Sequence, residues 1–334
     1  MRLDERLRWL CSFAPSLGLV SAPDDRPQGI SAVVRVKGEE EWLEPCLLSI
    51  RDFADEVVLL DNGAAPATRR TVERARGFLG ARLRVDECPE LDLFEMSNLG
   101  LARARFRWII RWDADFVAHT DGALDIGRLR RHLLALDRRC YYLVYVPAAE
   151  VAGDLRHQFP DRRLRFDGQI HVAGPAARYV RVERAVSPEG LAFPDRILRA
   201  RPVLKLALES LRVPKFYRVL RWPTVAYVHV HVKPAVAAMM RHFWLEWLGE
   251  GDAHRYPTLK AYAEEQIRVR WGMSDVAAAA AHYMRQYCRG LVPVDHALCG
   301  PYPELLRPSV EAARYEVAYE DGVAVGRRER ARTC

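Results

Sequence analysis

The stretch ISAVVRVKGEEEWLEPCLLSIRDFADEVVLLD, residues 30–61, holds two short apolar, β-branched runs, ISAVVRV and EVVLLD. Between them lies a segment that is acidic at its start and apolar at helical spacing afterwards. Runs of the first kind read as strands buried on both faces, and the middle segment as the helix that crosses between them. The pattern continues outward. TRRTVERARGFLG (68–80) predicts a helix, LRVDEC (83–88) a third strand, NLGLARARF (98–106) a helix, and RWIIRWDADF (107–116) a fourth strand ending in acid. Four alternations of strand and helix predict an open, mostly parallel sheet with helices on both faces. Ligands of such sheets bind outside the carboxyl ends of the strands. Lys37, Asp61, Asp113 and Asp115 all fall there.

Beyond residue 140 the simple alternation stops. YYLVYVPA (141–148), GQIHV (168–172), ARYVRVERAV (177–186) and TVAYVHVHV (224–232) read as further strands, so the sheet becomes mixed. From Pro234 the chain reads as helical, with AVAAMMRHFWLEWLGEG, LKAYAEEQIRVRW and SDVAAAAAHYMRQYCRG followed by an irregular tail. Upstream, SAPDDRPQG (21–29) reads as a linker behind a short N-terminal helix. The expected organisation is therefore an N-terminal helical extension and linker over 1–28, an α/β domain over 29–233, and a mainly helical region over 234–334.

A chain of 334 residues that is 50% hydrophobic can bury an ordinary core. The formal charge of +7 suggests anionic partners, but 46 of the 51 basic residues are Arg, which reads in part as compositional bias. No basic stretch is interleaved with aromatics as a single-strand binder needs, so nucleic acid is not expected as a partner. The seven Cys are scattered and form no CxxC, which excludes a zinc knuckle and a disulfide framework and points to a cytoplasmic location. Asp4, Glu5 and Pro15 argue against a signal peptide, and no run of 18 apolar residues predicts a membrane span. Monomer and homodimer both stay open.

Several residues have chemistry that suits the carboxyl edge. Asp113-Ala114-Asp115 closes the strand RWIIRW, and on a strand residues two apart project to the same side, so both carboxylates can face one Mg²⁺ or Mn²⁺. Asp61, in EVVLLDNG, can accept hydrogen bonds from a ribose or a base, and Asp-Asn-Gly is equally a good turn. Arg35 and Lys37 alternate at the end of the first strand and can meet a nucleotide's negative charge. His229, His231 and Lys233 alternate with Val228, Val230 and Val232, so one strand face carries two imidazoles and an ammonium. One of the two His is expected as a further metal ligand, with Lys233 on a phosphate. Asp167, His171 and Glu183 are candidates for a general base. Trp244 and Trp247, three apart on a helix, are expected to pack against the core.

The order ISAVVRVKGEEEWLEPCLLSI, DEVVLLDNGAAPATRRTVERA, SNLGLARARFRWIIRWDADF resembles the family 2 glycosyltransferases with the GT-A fold, over about residues 30–116 and more weakly to 233. The resemblance implies a GT-A-like α/β domain that binds a nucleotide-diphosphate sugar, of UDP or GDP type, and passes the sugar to an acceptor. By position it implies Arg35, Lys37 and Asp61 at the nucleoside, and Asp113 and Asp115 at the metal and donor diphosphate. His229 or His231 would take the place of the metal-binding His that some relatives add at the end of the core. The chain departs from the family in two places: Gly38 stands where an Asn is common, and Val172 follows His171 where an acid is common. The second departure removes the usual base, which leaves Asp167 as its substitute. The expected activity is metal-dependent glycosyl transfer to a soluble small-molecule or glycan acceptor. Two competitors use the same sheet. A sugar-phosphate nucleotidyltransferase needs a Gly-rich basic loop where this chain has VKGEEE, and a non-catalytic basic binding protein would leave the three Asp without a task.

Overall fold

A computed structural model describes residues 3–38, 41–174, 177–181, 189–192, 213–249 and 255–330, with backbone alone at 3, 4, 167–169 and 249. The parallel half of the sheet comes from β1 (Ile30–Gly38), β2 (Glu56–Ala64), β3 (Leu83–Glu87) and β4 (Trp108–Arg111). They lie side by side in the order β3-β2-β1-β4, with Val33 of β1 opposite Val58 of β2 and Ile30 opposite Trp108 of β4. Helix α1 (Leu3–Cys11) precedes them, and α2 (Leu43–Ser49), α3 (Pro66–Leu79) and α4 (Leu93–Arg103) make the crossovers. Alternate residues of β1 feed two cores. Ala32, Val34 and Val36 pack with Leu43 and Leu47 of α2, whereas Val33 packs with Met96 and Leu101 of α4. Burial on both faces is why these strands read as unbroken apolar runs.

Local chemistry sets the helix starts. Pro66 opens α3, where its missing N–H costs nothing. Asp92 caps α4 and Glu95 returns a hydrogen bond to the Asp92 N–H, a full capping box. Gly100 lets α4 approach β1 closely, since a Cβ there would stand 2.3 Å from Val33 Cγ1. That approach brings Ser97, one turn earlier, over the end of β1.

The mixed half is built from β5 (Phe116–Ala118), β6 (Tyr141–Ala152) and β8 (Leu164–Val172), together with β11 (Tyr217–Arg221) and β12 (Tyr227–His231), while the short β7 (His157–Gln158) pairs apart from it with Val292–Pro293. Strand β8 runs antiparallel between β4 and β6, β12 runs parallel to β6, and β5 closes the path antiparallel to β12. Strand β11 pairs with the first half of β6. A two-stranded ribbon of β9 (Arg178–Arg181) and β10 (Glu189–Ala192) lies over α4, where the Asn98 amide exchanges hydrogen bonds with the Tyr179 N–H and C=O at 2.8 and 2.9 Å. Helix α5 (Ile126–Ala135) covers the sheet on the α2 side through Ile126, Leu129 and Leu133.

Three helices follow, α6 (Ala235–Gly249), α7 (Leu259–Trp271) and α8 (Val276–Cys288), packed around Met239, Phe243, Tyr262 and Ile267. Trp247 joins that cluster as expected, and Trp244 carries the Arg241 guanidinium 4.3 Å above its ring. The expected irregular tail is instead an antiparallel hairpin, Tyr315–Glu320 with Val323–Glu329, packed on α8 through Val317 and Ala324 against Met284 and Cys288. Its turn is Asp321-Gly322, both at positive φ (46° and 77°). Asp-Gly is the turn signal of a two-residue hairpin.

Candidate active site

Two ion clusters sit at the carboxyl edge of the sheet, and the segment between β4 and β5 divides them. β4 ends at Arg111, and the Phe116 N–H donates to the Asp113 carbonyl at 2.9 Å, so residues 113–116 turn. The expectation that both carboxylates extend one strand face is corrected by this turn. Asp113 faces Arg35 of β1 (3.0 Å) and Arg111 (3.5 Å), whereas Asp115 faces Lys233 (3.1 Å) and His229 (3.4 Å). The two remain close enough to repel, for each negative Asp115 charge opposes ionisation of Asp113.

In the second cluster the pairing of β5, β12 and β6 places every member. The Val230 N–H donates to the Asp115 carbonyl at 2.9 Å, and His229 lies opposite both Phe116 on β5 and Glu150 on β6. One Glu150 oxygen stands 3.6 Å from His229 Nδ1 and 3.4 Å from His231 Nε2, with Arg165 of β8 at 3.4 Å from the same oxygen. One ligand atom each from Glu150, His229 and His231 lies within 4.8 Å of the others. Carboxylate oxygens beside imidazole nitrogens are the donor set of a Mn²⁺-type cation more than of Mg²⁺, which prefers oxygen throughout.

The electrostatics separate the two His. Burial works against the charged form of His229, but Asp115 and Glu150 overcome it and raise its pKa to about 9. Burial and the neighbouring His229 charge push His231 below its ordinary value. Burial also opposes ionisation of Asp113, yet Arg111 and Arg35 bring it down to about 2. Asp115 and Glu150 are held well below the carboxylate range, against burial, by Lys233 and the two His respectively. A buried carboxylate that stays ionised this firmly is available to a cation without first losing a proton.

Asp61 ends inside β2, where it is 6% exposed. Its Oδ1 accepts the Ala64 N–H at 2.6 Å and its Oδ2 meets Arg69 at 3.2 Å, so it shapes the Asp-Asn-Gly bend while remaining at the carboxyl edge. Lys37 is exposed at the end of β1 and, among the described residues, joins neither cluster. His171 lies in β8 opposite Ile109 and Leu143, fully buried and two residues short of the Arg111 level. Its expected role as a base is corrected, since a fully enclosed ring cannot touch an acceptor. Asp167 is in β8 opposite Val146, but its side chain lies outside the described residues, as does the whole of Glu183.

Four members of the site were missed. Glu150 had a signal, being the one charged residue in the run YYLVYVPAAEVA. Arg111 had a weaker one, as the polar end of WIIR. Ser97 and Glu189 had none, because Glu189 reaches Arg35 across 154 residues of sequence.

Residues 31–167 match the family model of glycosyl transferase family 2. No curated protein matches the chain. Among solved structures, residues 1–349 of S. aureus TarS in complex with UDP-GlcNAc are similar at 14% identity and a TM-score of 0.38, over 88% of this chain and 95% of that one. The same TarS fragment with UDP is similar at 18% identity and a TM-score of 0.37, over 74% and 73%. Glucosyl-3-phosphoglycerate synthase from Mycobacterium tuberculosis, with Mn²⁺ and UDP-glucose, is similar at 19% identity and a TM-score of 0.27, over 43% and 46%. With the family match spanning β1 into β8 and both Asp of the 113–115 turn, the chain carries a glycosyl transferase family 2 domain over residues 31–167.

Proposed function

We propose that this glycosyltransferase moves a sugar from a nucleoside-diphosphate sugar, of UDP or GDP type, in a reaction that needs a divalent cation. The observation that carries this reading is the meeting of Asp115, Glu150, His229 and His231 at one end of the sheet, with Lys233 on Asp115. Asp115 and His229, with Glu150 and His231 beside them, have the donor atoms to hold Mn²⁺. When bound, such a cation neutralises charge that develops on the leaving diphosphate. Lys233 adds a second positive charge on the same side. Asp113 holds Arg35 and Arg111 beside the cation cluster, and Asp61 offers a carboxylate to the nucleoside on the other flank of β1. Asp167 stays the proposed base for the acceptor hydroxyl. The acceptor is proposed to be a soluble small molecule or glycan.

The test is a titration of UDP, GDP and dTDP, with and without Mn²⁺, on the wild type and Asp115→Asn. Mn²⁺-dependent binding of one nucleotide, lost in the variant, supports the reading. Binding of none, or binding indifferent to the metal and the substitution, overturns it. Asp167→Asn should keep donor binding and lose transfer; full transfer removes Asp167 from the mechanism.

A further inference from the structure

Among the described residues, three hydrogen-bond donors from three elements converge on one carboxylate. Arg35 of β1 reaches both Glu189 oxygens at 2.9 Å, Arg111 of β4 reaches Oε2 at 2.7 Å, and the Ser97 hydroxyl of α4 donates to Oε1. Arg35 also donates to Ser97 Oγ at 2.6 Å and to Asp113 at 3.0 Å. The side chains are enclosed: Arg35 and Arg111 are 12% and 13% exposed, and Glu189 is 2% exposed. Two guanidiniums and a hydroxyl around two oxygens of one anion make a geometry that serves a phosphate as well as a carboxylate. The three donors belong to the parallel core. The carboxylate alone comes from outside it, on the β9–β10 ribbon.

That ribbon does not depend on Glu189 for its place. Asn98 clamps Tyr179 through both main-chain groups, Arg181 donates to the Leu248 carbonyl at 2.9 Å, and Arg181 also stacks on Phe94. What Glu189 adds is charge. Among the described residues, it and Asp113 face Arg35 and Arg111, two carboxylates against two guanidiniums, at the carboxyl ends of β1 and β4. A diphosphate arriving there meets two carboxylates as well as two guanidiniums, and it cannot use the donors while Glu189 holds them.

We propose that Arg35, Arg111 and Ser97 form a binding site for a phosphate group of the donor diphosphate, and that Glu189 fills this site until the diphosphate displaces it. The proposal rests on the donor reading above for the identity of the ligand, and on the geometry alone for the anion site. It makes Glu189 an internal competitor, so its removal should strengthen binding. It also gives Arg111 and Ser97 a part in donor recognition beside Arg35.

The experiment is calorimetric titration of inorganic pyrophosphate in EDTA, and of UDP and GDP with Mn²⁺, on the full chain and on Glu189→Gln and Arg111→Gln. Glu189→Gln should bind pyrophosphate about tenfold or more tightly than the wild type, and Arg111→Gln about tenfold more weakly, as loss of a charged hydrogen bond implies. Unchanged or weaker pyrophosphate binding by Glu189→Gln overturns the proposal. Should that variant fail to fold, Glu189→Asp decides, since its shorter arm loosens the three-way grip. A smaller gain then supports the proposal, and a loss or no change overturns it. The two readings fail separately. If no nucleotide binds any variant but pyrophosphate binding still rises in Glu189→Gln, the anion site stands and the donor reading falls. If nucleotides bind with Mn²⁺ and Glu189→Gln gains nothing, the reverse holds.

Discussion

The affinity of the Asp115–Glu150–His229–His231 cluster for Mn²⁺ should rise about tenfold per pH unit between about pH 6.5 and 8.5, because one proton must leave His229 for its nitrogen to ligate. The magnitude follows from the site. Burial lowers the His229 pKa, but Asp115 at 3.4 Å and Glu150 at 3.6 Å raise it above 6.5, to about 9. At pH 7 the neutral ring is then a small minority, and freeing it costs on the order of a few kcal/mol, at about 1.36 kcal/mol per pH unit. His231 lies below its ordinary value and so contributes no further proton at neutral pH. The sign for the metal-free fold is opposite. A His whose pKa is raised on folding stabilises the fold fully below 6.5, and that stabilisation fades as pH rises through about 9. Metal affinity and metal-free stability should therefore move in opposite directions over this window. Calorimetric Mn²⁺ titrations in buffers of different ionisation enthalpy read both the affinity and the protons released, with an expectation near one proton per ion at pH 7. A flat affinity across the window, or no proton release, refutes the assignment of His229 as a ligand.

Other perturbations separate the groups. Saturating Mn²⁺, at about 100 times its Kd, should stabilise the wild type by about 2.7 kcal/mol and raise its Tm by several degrees; Asp115→Asn should abolish that shift and Asp113→Asn should keep most of it, whereas equal loss in both would restore a shared site. Gly100→Ala gains about 1 kcal/mol of helix propensity but sets a Cβ 2.3 Å from Val33 Cγ1. Overpacking of about 1–3 kcal/mol outweighs that gain, so the Tm should fall, and a rise would contradict the close approach of α4 to β1. His171→Gln should lower stability by about 1–3 kcal/mol and leave the kcat of the folded enzyme within about threefold, whereas a thousandfold fall in kcat would return His171 to the mechanism.

The four strand-helix units were legible because each parallel strand is buried on both faces. Val33 and Val34, or Val58 and Leu59, are adjacent in sequence and face opposite cores, which leaves an apolar run with no alternation to misread. The carboxyl-edge positions of Asp61, Asp113 and Asp115 follow from that pattern. The turn at 113–116 was not legible, since Trp112-Asp113-Ala114-Asp115-Phe116 contains neither Gly nor Pro, and the turn depends on β5 pairing with a strand far along the chain, Phe116 with His229. The C-terminal hairpin was legible and overlooked, for YEVAYEDGVAVGRRE carries Asp-Gly between two alternating segments. Glu150 could have been flagged as a lone acid in an apolar strand. Glu189 could not, because its partners are assembled by β1, α4 and β4 from residues 35, 97 and 111.

The charges at this edge compensate one another, which changes what the net charge of +7 can mean for function. Arg35 and Arg111 are neutralised by Asp113 and Glu189, and Lys233 and a protonated His229 by Asp115 and Glu150. On the proposed reading, an anionic donor therefore meets guanidiniums and an ammonium that are already engaged by carboxylates among the described residues, however basic the chain as a whole. On the proposed reading, affinity for a diphosphate comes from exchange: a cation replacing the His229 proton at the Asp115 end, or Glu189 leaving the guanidiniums at the Asp113 end. Each exchange raises the positive charge available to phosphate without adding a basic residue. Because Asp113 and Asp115 sense each other across the 113–116 turn, the two exchanges act on one electrostatic quantity from opposite sides. On the proposed reading, the turn that splits the Asp pair thus gives a single short segment a carboxylate for the cation on one side and one that orders the arginines on the other.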